Sequence, residues 1–254
     1  MRCGFCFCFS RHDMESKPSK IRCFMAFDLP AEVIDDLAGI QKTIAAGGVK
    51  LGWVAPQNIH LTVKFLGEIS PEAVQKALAA AEQAVKRYRG HFYLDPRVKP
   101  GGDEERGPKP GGDEEGGAKP EGDAGSGGKQ GSGRRGAPMR MTARGIGVFP
   151  DMNRPRVLWA GLSGDLRSLV DFHGILDENL FSAGFGKEKR RFTAHVTLGR
   201  IKRAVDVRQL AAAMAPCLDF QSKPFCIDRL MVYKSDLTAA GPVYRRLAAF
   251  ALGG

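Results

Sequence analysis

Two short runs of this 254-residue chain pair a side chain that moves protons with one that can hold a growing charge: His60-Leu61-Thr62-Val63 and His195-Val196-Thr197-Leu198. Histidine titrates near neutrality and can act as acid or base. Two imidazoles on opposite sides of a phosphorus atom permit in-line displacement, one taking a proton from water and the other giving one to the departing oxygen. The threonine hydroxyls can donate to the non-bridging oxygens as charge develops there. Such a set calls for no cofactor and no metal, because hydroxyls and nearby cations supply the stabilisation. Zinc is the competing use of His60 and His195, but neither has a second His, Cys or Asp at ligand spacing. One His-x-Thr alone is a weak signal; two copies, one in each half of the chain, are a strong one. The remaining histidines do not join them. His12 lies in the N-terminal segment, His91 at a helix–strand boundary and His173 inside a helical pattern, and all three read as structural or exposed.

Both runs sit in strand patterns, so side chains alternate between two faces. In the first, His60, Thr62 and Lys64 share one face, while Ile59, Leu61, Val63 and Phe65 share the other. In the second, His195 and Thr197 oppose Ala194, Val196 and Leu198. This parity sends Phe65 toward the core, with base stacking as its alternative use. It also sets Arg200 opposite His195, so a phosphate-binding role for Arg200 requires a bulge or strand end before it.

The elements that must hold these strands are legible from about residue 21. Ile21 to Phe27 reads as a buried strand. Pro30 opens a helix with Val33, Ile34, Leu37 and Ile40 as its apolar stripe, ended by Gly47-Gly48. Ile59 to Leu66 is a strand stopped by Gly67. Ser70 caps a helix with Pro71 at its first position, running to about Tyr88. Phe92 to Leu94 begins a further strand. After position 138, strands are expected at Met141–Phe149, Val157–Leu162, Phe192–Ile201, Cys226–Tyr233 and Val243–Leu252. Helices are expected at Leu166–Leu180, with Leu166, Leu169, Val170, Ile175 and Leu176 facing the core, and at Val207–Met214. Strands and helices thus alternate in two halves, an α+β arrangement with two similar lobes.

Between the halves the composition changes abruptly. Lys-Pro-Gly-Gly-Asp-Glu-Glu at 99–105 returns at 109–115 and decays at 119–123, with Lys99, Lys109, Lys119 and Lys129 at a period of ten. Residues 95–138 contain Val98 as the one large aliphatic side chain and no aromatic. Such a segment cannot bury enough apolar surface to offset its ordering entropy, so it reads as a disordered insertion. Its eight basic and nine acidic residues sum to −1, which leaves about +11 of the net +10 to the rest of the chain. That balance favours polyanionic partners. Residues 1–20 read as an irregular tail, with Met14 as an alternative start. The tail's Cys3, Cys6 and Cys8 show no evident fourth metal ligand, and Cys23, Cys217 and Cys226 show no disulfide framework, so reduced thiols are expected. No apolar run approaches a membrane span, and the tail lacks the marks of a signal peptide. A cytoplasmic protein is the expectation, with no obligate protein partner.

The motifs carry a resemblance. Trp53-Val54-Ala55-Pro56-Gln57-Asn58-Ile59-His60-Leu61-Thr62-Val63-Lys64-Phe65-Leu66-Gly67 and Phe192-Thr193-Ala194-His195-Val196-Thr197-Leu198-Gly199-Arg200 resemble the two HXTX motifs of the 2H phosphoesterase superfamily, specifically its RNA 2′,3′-cyclic phosphodiesterases, also called 2′-5′ RNA ligases. Arg22 to Pro30 and Arg156 to Gly161 are similar to that family's flanking strands. The likeness covers about residues 21–94 and 139–252. It implies two pseudo-symmetric lobes, each with an antiparallel sheet and outer helices, and a cleft between them that holds both motifs. Together they make a single domain over 21–252, interrupted by the 95–138 insertion. The resemblance implies hydrolysis of a 2′,3′-cyclic phosphate on an RNA end to a 2′-phosphomonoester, with His60 as proton donor, His195 as proton acceptor, and Thr62, Thr197 and Arg200 on the phosphate. Reverse 2′-5′ ligation is a secondary capacity. Three alternatives stay open: action on small cyclic nucleotides, an RNA-binding module without turnover, and a metal enzyme.

Overall fold

The computed structural model describes residues 20–90, 137–239 and 241–253. The N-terminal tail with its three cysteines and His12, the strand expected at Phe92–Leu94, His91, and the repeat segment up to residue 136 lie outside the described residues. The rest forms two antiparallel sheets with helices, as the alternating pattern predicts. The first sheet has the order β3-β1-β8-β9, from β1 (Ile21–Asp28), β3 (His60–Ile69), β8 (Arg229–Thr238) and β9 (Gly241–Ala251). The second has the order β2-β6-β5-β4-β7, from β2 (Gly52–Trp53), β4 (Met139–Phe149), β5 (Val157–Gly164), β6 (His195–Arg200) and β7 (Phe225–Ile227). Four helices complete it: α1 (Ala31–Ala46), α2 (Pro71–Gly90), α3 (Leu166–Ser182) and α4 (Val207–Met214). Among the described residues no helix is long and apolar enough to cross a membrane.

The lobes are not the two halves of the sequence. Each borrows from the other. The first sheet takes two of its four strands, β8 and β9, from the C-terminal part of the sequence, with Phe27 opposite Leu230. The second takes the two-residue β2, which pairs Gly52 and Trp53 with Arg200 and Gly199. The helices cross over too. Phe172 of α3 packs on Phe27 of β1 at 5.6 Å and on Tyr88 of α2 at 5.3 Å, so α3 backs the first sheet. Helix α1 lies against β6 and α4, backing the second. Buried side chains from both sheets and from all four helices form one continuous core.

Most elements fall where periodicity puts them, and the departures have local causes. Ser70 caps α2 as expected, its Oγ accepting from the Ala73 N–H at 3.2 Å. Gly67 does not stop its strand. It takes φ +75 where the ladder skips Leu66, and β3 runs on to Ile69. The single strand expected at Cys226–Tyr233 is two, broken at Asp228. Val170 is 49% exposed, because the buried stripe of α3 runs through Leu169, Phe172, Leu176 and Leu180 at helical spacing.

The parity of β3 is the largest correction. Ala26 pairs with Thr62 and Met25 with Lys64, so Val63 is an extra residue, a bulge. One extra residue exchanges the faces of everything beyond it. Lys64, expected beside His60 and Thr62, instead points to the helix side and is 5% exposed. Phe65, expected in the core, is 49% exposed. Buried Lys64 is paired: its Nζ donates to Asp177 Oδ1 of α3 at 2.5 Å and to the Gly186 carbonyl at 3.2 Å. Burial pushes the Asp177 carboxyl up, but the Lys64 ammonium and the Glu188 N–H outweigh it and hold the group below its ordinary range. The pair ties the first motif strand to a helix from the other half of the chain. Removing one member strands the other charge, so Lys64→Met is expected to lower the unfolding free energy by about 3–5 kcal/mol. Adding Asp177→Leu should restore much of that loss. Urea denaturation of the three variants checks this, and strictly additive losses would contradict the coupling.

Candidate active site

The two motif strands, β3 and β6, lie against one another although they belong to different sheets. Each carries the same local design. The His60 Nδ1 sits 2.7 Å from the Asn58 carbonyl, and the His195 Nδ1 sits 2.7 Å from the Thr193 carbonyl. A carbonyl only accepts, so each Nδ1 carries the proton and donates it, leaving Nε2 as the working atom of each ring. In both cases the anchor is the carbonyl two residues upstream, a chain segment fixed by the lead-in to the motif.

The bulge is repeated as well. In β6, Trp159 of β5 pairs with Thr197 and Leu158 pairs with Gly199, so Leu198 is the extra residue. Val63 and Leu198 hold the same fourth place in their motifs. The parity objection to Arg200 is thereby removed: beyond Leu198 the faces exchange, and Arg200 joins His195 and Thr197. By the same device Phe65, at the equivalent fifth place after His60, joins His60 and Thr62. Gly199 lets Trp53 of β2 lie close, since a Cβ there would stand 3.2 Å from its ring.

Each imidazole rests on aromatic side chains that the motif pattern did not disclose. Phe24 of β1 stacks on His60 at 4.9 Å between centroids, and Tyr244 of β9 meets it edge-on at 5.5 Å. Phe149 of β4 meets His195 edge-on at 5.0 Å. Phe24 shares a strand face with Arg22 and Asp28, and the Arg22 guanidinium lies 4.5 Å over the exposed Phe65 ring. The hydroxyl of Tyr233 donates to Asp28 Oδ1 at 2.6 Å. Tyr244 and Tyr233 could not be found from local pattern, because they reach the site only through the pairing of the C-terminal hairpin with β1. The Asn58 amide, donating to the Pro242 carbonyl at 2.9 Å, pins that hairpin beside the first motif.

The electrostatics show where the lobes meet. Burial is the main influence on His60 and lowers its pKa below the ordinary 6.5. The Asn58 bond and Asp28 oppose that shift, and the positive charge of Arg200 adds to it. Arg200 also acts on Tyr244, together with Arg22, against the upward push of burial on that phenol. A side chain of the second sheet thus lies within electrostatic reach of the histidine of the first. His60 and Thr62 on one strand, and His195, Thr197 and Arg200 on the other, share the face turned away from the helices on two abutting strands, with exposed Phe65 beside them. Among the described residues, no three His, Cys, Asp or Glu side chains converge as metal ligands. Cys23, Cys217 and Cys226 are free thiols.

Comparison with known proteins agrees with this fold. The family model for LigT-like phosphoesterases matches residues 27–96 and 163–244, including both motifs. The RNA 2′,3′-cyclic phosphodiesterase of Methanocaldococcus jannaschii is 27% identical over 224 residues, 88% of this chain and 96% of that protein. Its counterpart in Thermotoga maritima is 26% identical over 227 residues, covering 89% and 93%. Among solved structures, Escherichia coli LigT complexed with phosphate superposes with a TM-score of 0.55 at 19% identity over 93% of this chain and 99% of that one. A Thermus thermophilus protein gives a TM-score of 0.55 at 23% identity over 92% and 99%. With both histidine–threonine strands, their shared bulges and the two-sheet fold in place, the chain belongs to the LigT-like phosphoesterase family.

Proposed function

We propose that this protein hydrolyses 2′,3′-cyclic phosphate ends of RNA to 2′-phosphomonoesters by acid–base catalysis that needs no metal. The observation that carries this reading is the repeated constellation: two imidazoles with Nδ1 tied to a carbonyl, each beside a threonine, on abutting strands. Relatives matching over most of the chain bear the name RNA 2′,3′-cyclic phosphodiesterase, which supports the substrate. So does the net charge of +10.

In this mechanism the phosphate lies between the rings. His195, neutral, takes a proton from water through Nε2 as the water oxygen bonds to phosphorus. The bond from phosphorus to the ribose 3′ oxygen breaks, and His60 protonates that oxygen. Thr62, Thr197 and Arg200 hold the non-bridging oxygens, whose charge grows in the transition state. Phe65, exposed and covered by Arg22, offers a face on which a base can stack. A donor with a lowered pKa must be loaded by its substrate: the phosphate anion beside His60 offsets Arg200 and favours the imidazolium. With a 5′-hydroxyl in place of water as the nucleophile, the same step, in which the bond to the 3′ oxygen breaks, would form a 2′-5′ bond.

His60→Ala and His195→Ala should each cost at least about 10²-fold in kcat while melting like the parent protein. Full turnover by either on cyclic-ended RNA in chelator would refute the pair. The division of labour has its own test. A substrate with sulfur at the 3′ bridging position has a leaving group that needs no proton, so it should rescue His60→Ala and leave His195→Ala inactive. Rescue of the opposite variant would reverse the roles. Proton NMR of the free protein should give His60 a titration midpoint below 6.5, moving upward when a 2′-nucleotide binds; a midpoint at or above 6.5 contradicts its burial. Short cyclic-ended RNA and ADP-ribose 1″,2″-cyclic phosphate, compared by kcat/KM, separate an RNA enzyme from one acting on small nucleotides.

A further inference from the structure

Gln41 is a buried polar residue on α1 that the acid–base scheme does not use, and its side chain reaches both motifs. The Nε2 group donates to the Leu198 carbonyl at 2.8 Å and to the Val54 carbonyl at 2.8 Å. Leu198 is the bulged residue of the second motif, and its carbonyl also accepts from the Val54 N–H at 3.0 Å. Val54 lies in the lead-in that runs through Asn58 to His60. One amide therefore clamps the lead-in of the first motif to the bulge of the second. A bulge leaves a carbonyl outside the regular ladder, and a buried carbonyl without a partner is costly. The Leu198 carbonyl has the Val54 N–H as one donor, and Gln41 gives it a second while its other N–H holds the Val54 carbonyl.

The other half of the molecule has a matching arrangement. His173 of α3 is buried, hydrogen-bonds the carbonyl of Val63, the bulged residue of the first motif, and stacks at 4.2 Å on Phe192, in the lead-in to His195. Helix α1 braces the second motif and helix α3 the first, each against the approach to its opposite number.

The geometry points to Gln41 as a positioning residue that fixes the Leu198 bulge and so turns Arg200 toward the phosphate site, with His173 as its counterpart on the first motif. This rests on the phosphodiesterase reading for its substrate and on the bulge geometry for its mechanism. If Gln41 works through Arg200, the two substitutions must not add. Gln41→Met keeps the length and removes the donors. It should lower kcat/KM about 10–100-fold, the scale expected for a misplaced catalytic group. In an Arg200→Ala background the same substitution should cost less than about 3-fold. His173→Gln, which retains an N–H donor, should keep kcat near that of the parent, whereas His173→Phe, which keeps the stack and loses the donor, should lower it.

Turnover is referred to folded protein, from the thermal unfolding curve of each variant, so that lost stability is not read as lost positioning. Should Gln41→Met fail to fold, Gln41→Asn, the same amide withdrawn by one methylene, takes its place in the cycle. Inorganic phosphate binding to the same four proteins supplies a readout independent of turnover. Gln41→Met should weaken it about as much as Arg200→Ala, and the double variant no further. A parent protein that binds phosphate without turning over RNA would count against the phosphodiesterase reading and leave this one to be decided by the binding cycle. Additive effects, or Gln41→Met with unchanged turnover and phosphate binding per folded molecule, would overturn it. So would a parent protein that neither binds phosphate nor turns over RNA.

Discussion

A β-strand alternates its side chains with a period of two, and the site depends on breaking that period directly after the threonine of each motif strand. Without the extra residues Val63 and Leu198, Arg200 would face the helices and Lys64 would share a face with His60 and Thr62. The bulge sorts two cations by function. Arg200 goes to where an anion can be held. Lys64 goes inward to Asp177, where it joins a strand to a helix. A bulge of this kind is stable only if its freed carbonyl finds a donor. The structure supplies one in each lobe, from a helix belonging to the other half of the chain.

How far the sequence discloses this varies with the range of the interaction. The two histidines and their threonines were legible because strand periodicity and motif repetition are local. The helix caps and most boundaries were legible for the same reason. Phe65, Lys64 and Arg200 were misplaced or left conditional because a bulge is a mismatch between two strands, visible only once the partner's register is known. Phe24 was missed because it meets His60 only through the pairing of β1 with β3, and Tyr244 because it does so through the pairing of β1 with β8 and of β8 with β9, some two hundred residues away. Val170 misled because apolar character alone does not fix which side of α3 is buried.

The exchange of elements also explains why the site is a shared property. The first histidine lies in a sheet completed by the chain's last strands, and its lead-in pairs with the second motif strand through β2. Arg200 crosses the boundary electrostatically, lowering the proton affinity of His60 from the opposite sheet. Neither lobe holds both histidines, so their relative placement is fixed by the same contacts that hold the lobes together.

The pairing of β1 with β8 has a consequence for synthesis. A chain leaving the ribosome presents β1 and β3 long before β8 and β9 exist, and a two-stranded ribbon is marginal in water. The first sheet must wait for the last strands, across a sequence separation that makes closure slow. Until then Tyr244 is absent from His60 and the Asn58 amide has no Pro242 carbonyl to hold. The order of translation therefore keeps nascent and prematurely ended chains without a finished first half-site, so that the surroundings of His60 are complete only once β9 has been made.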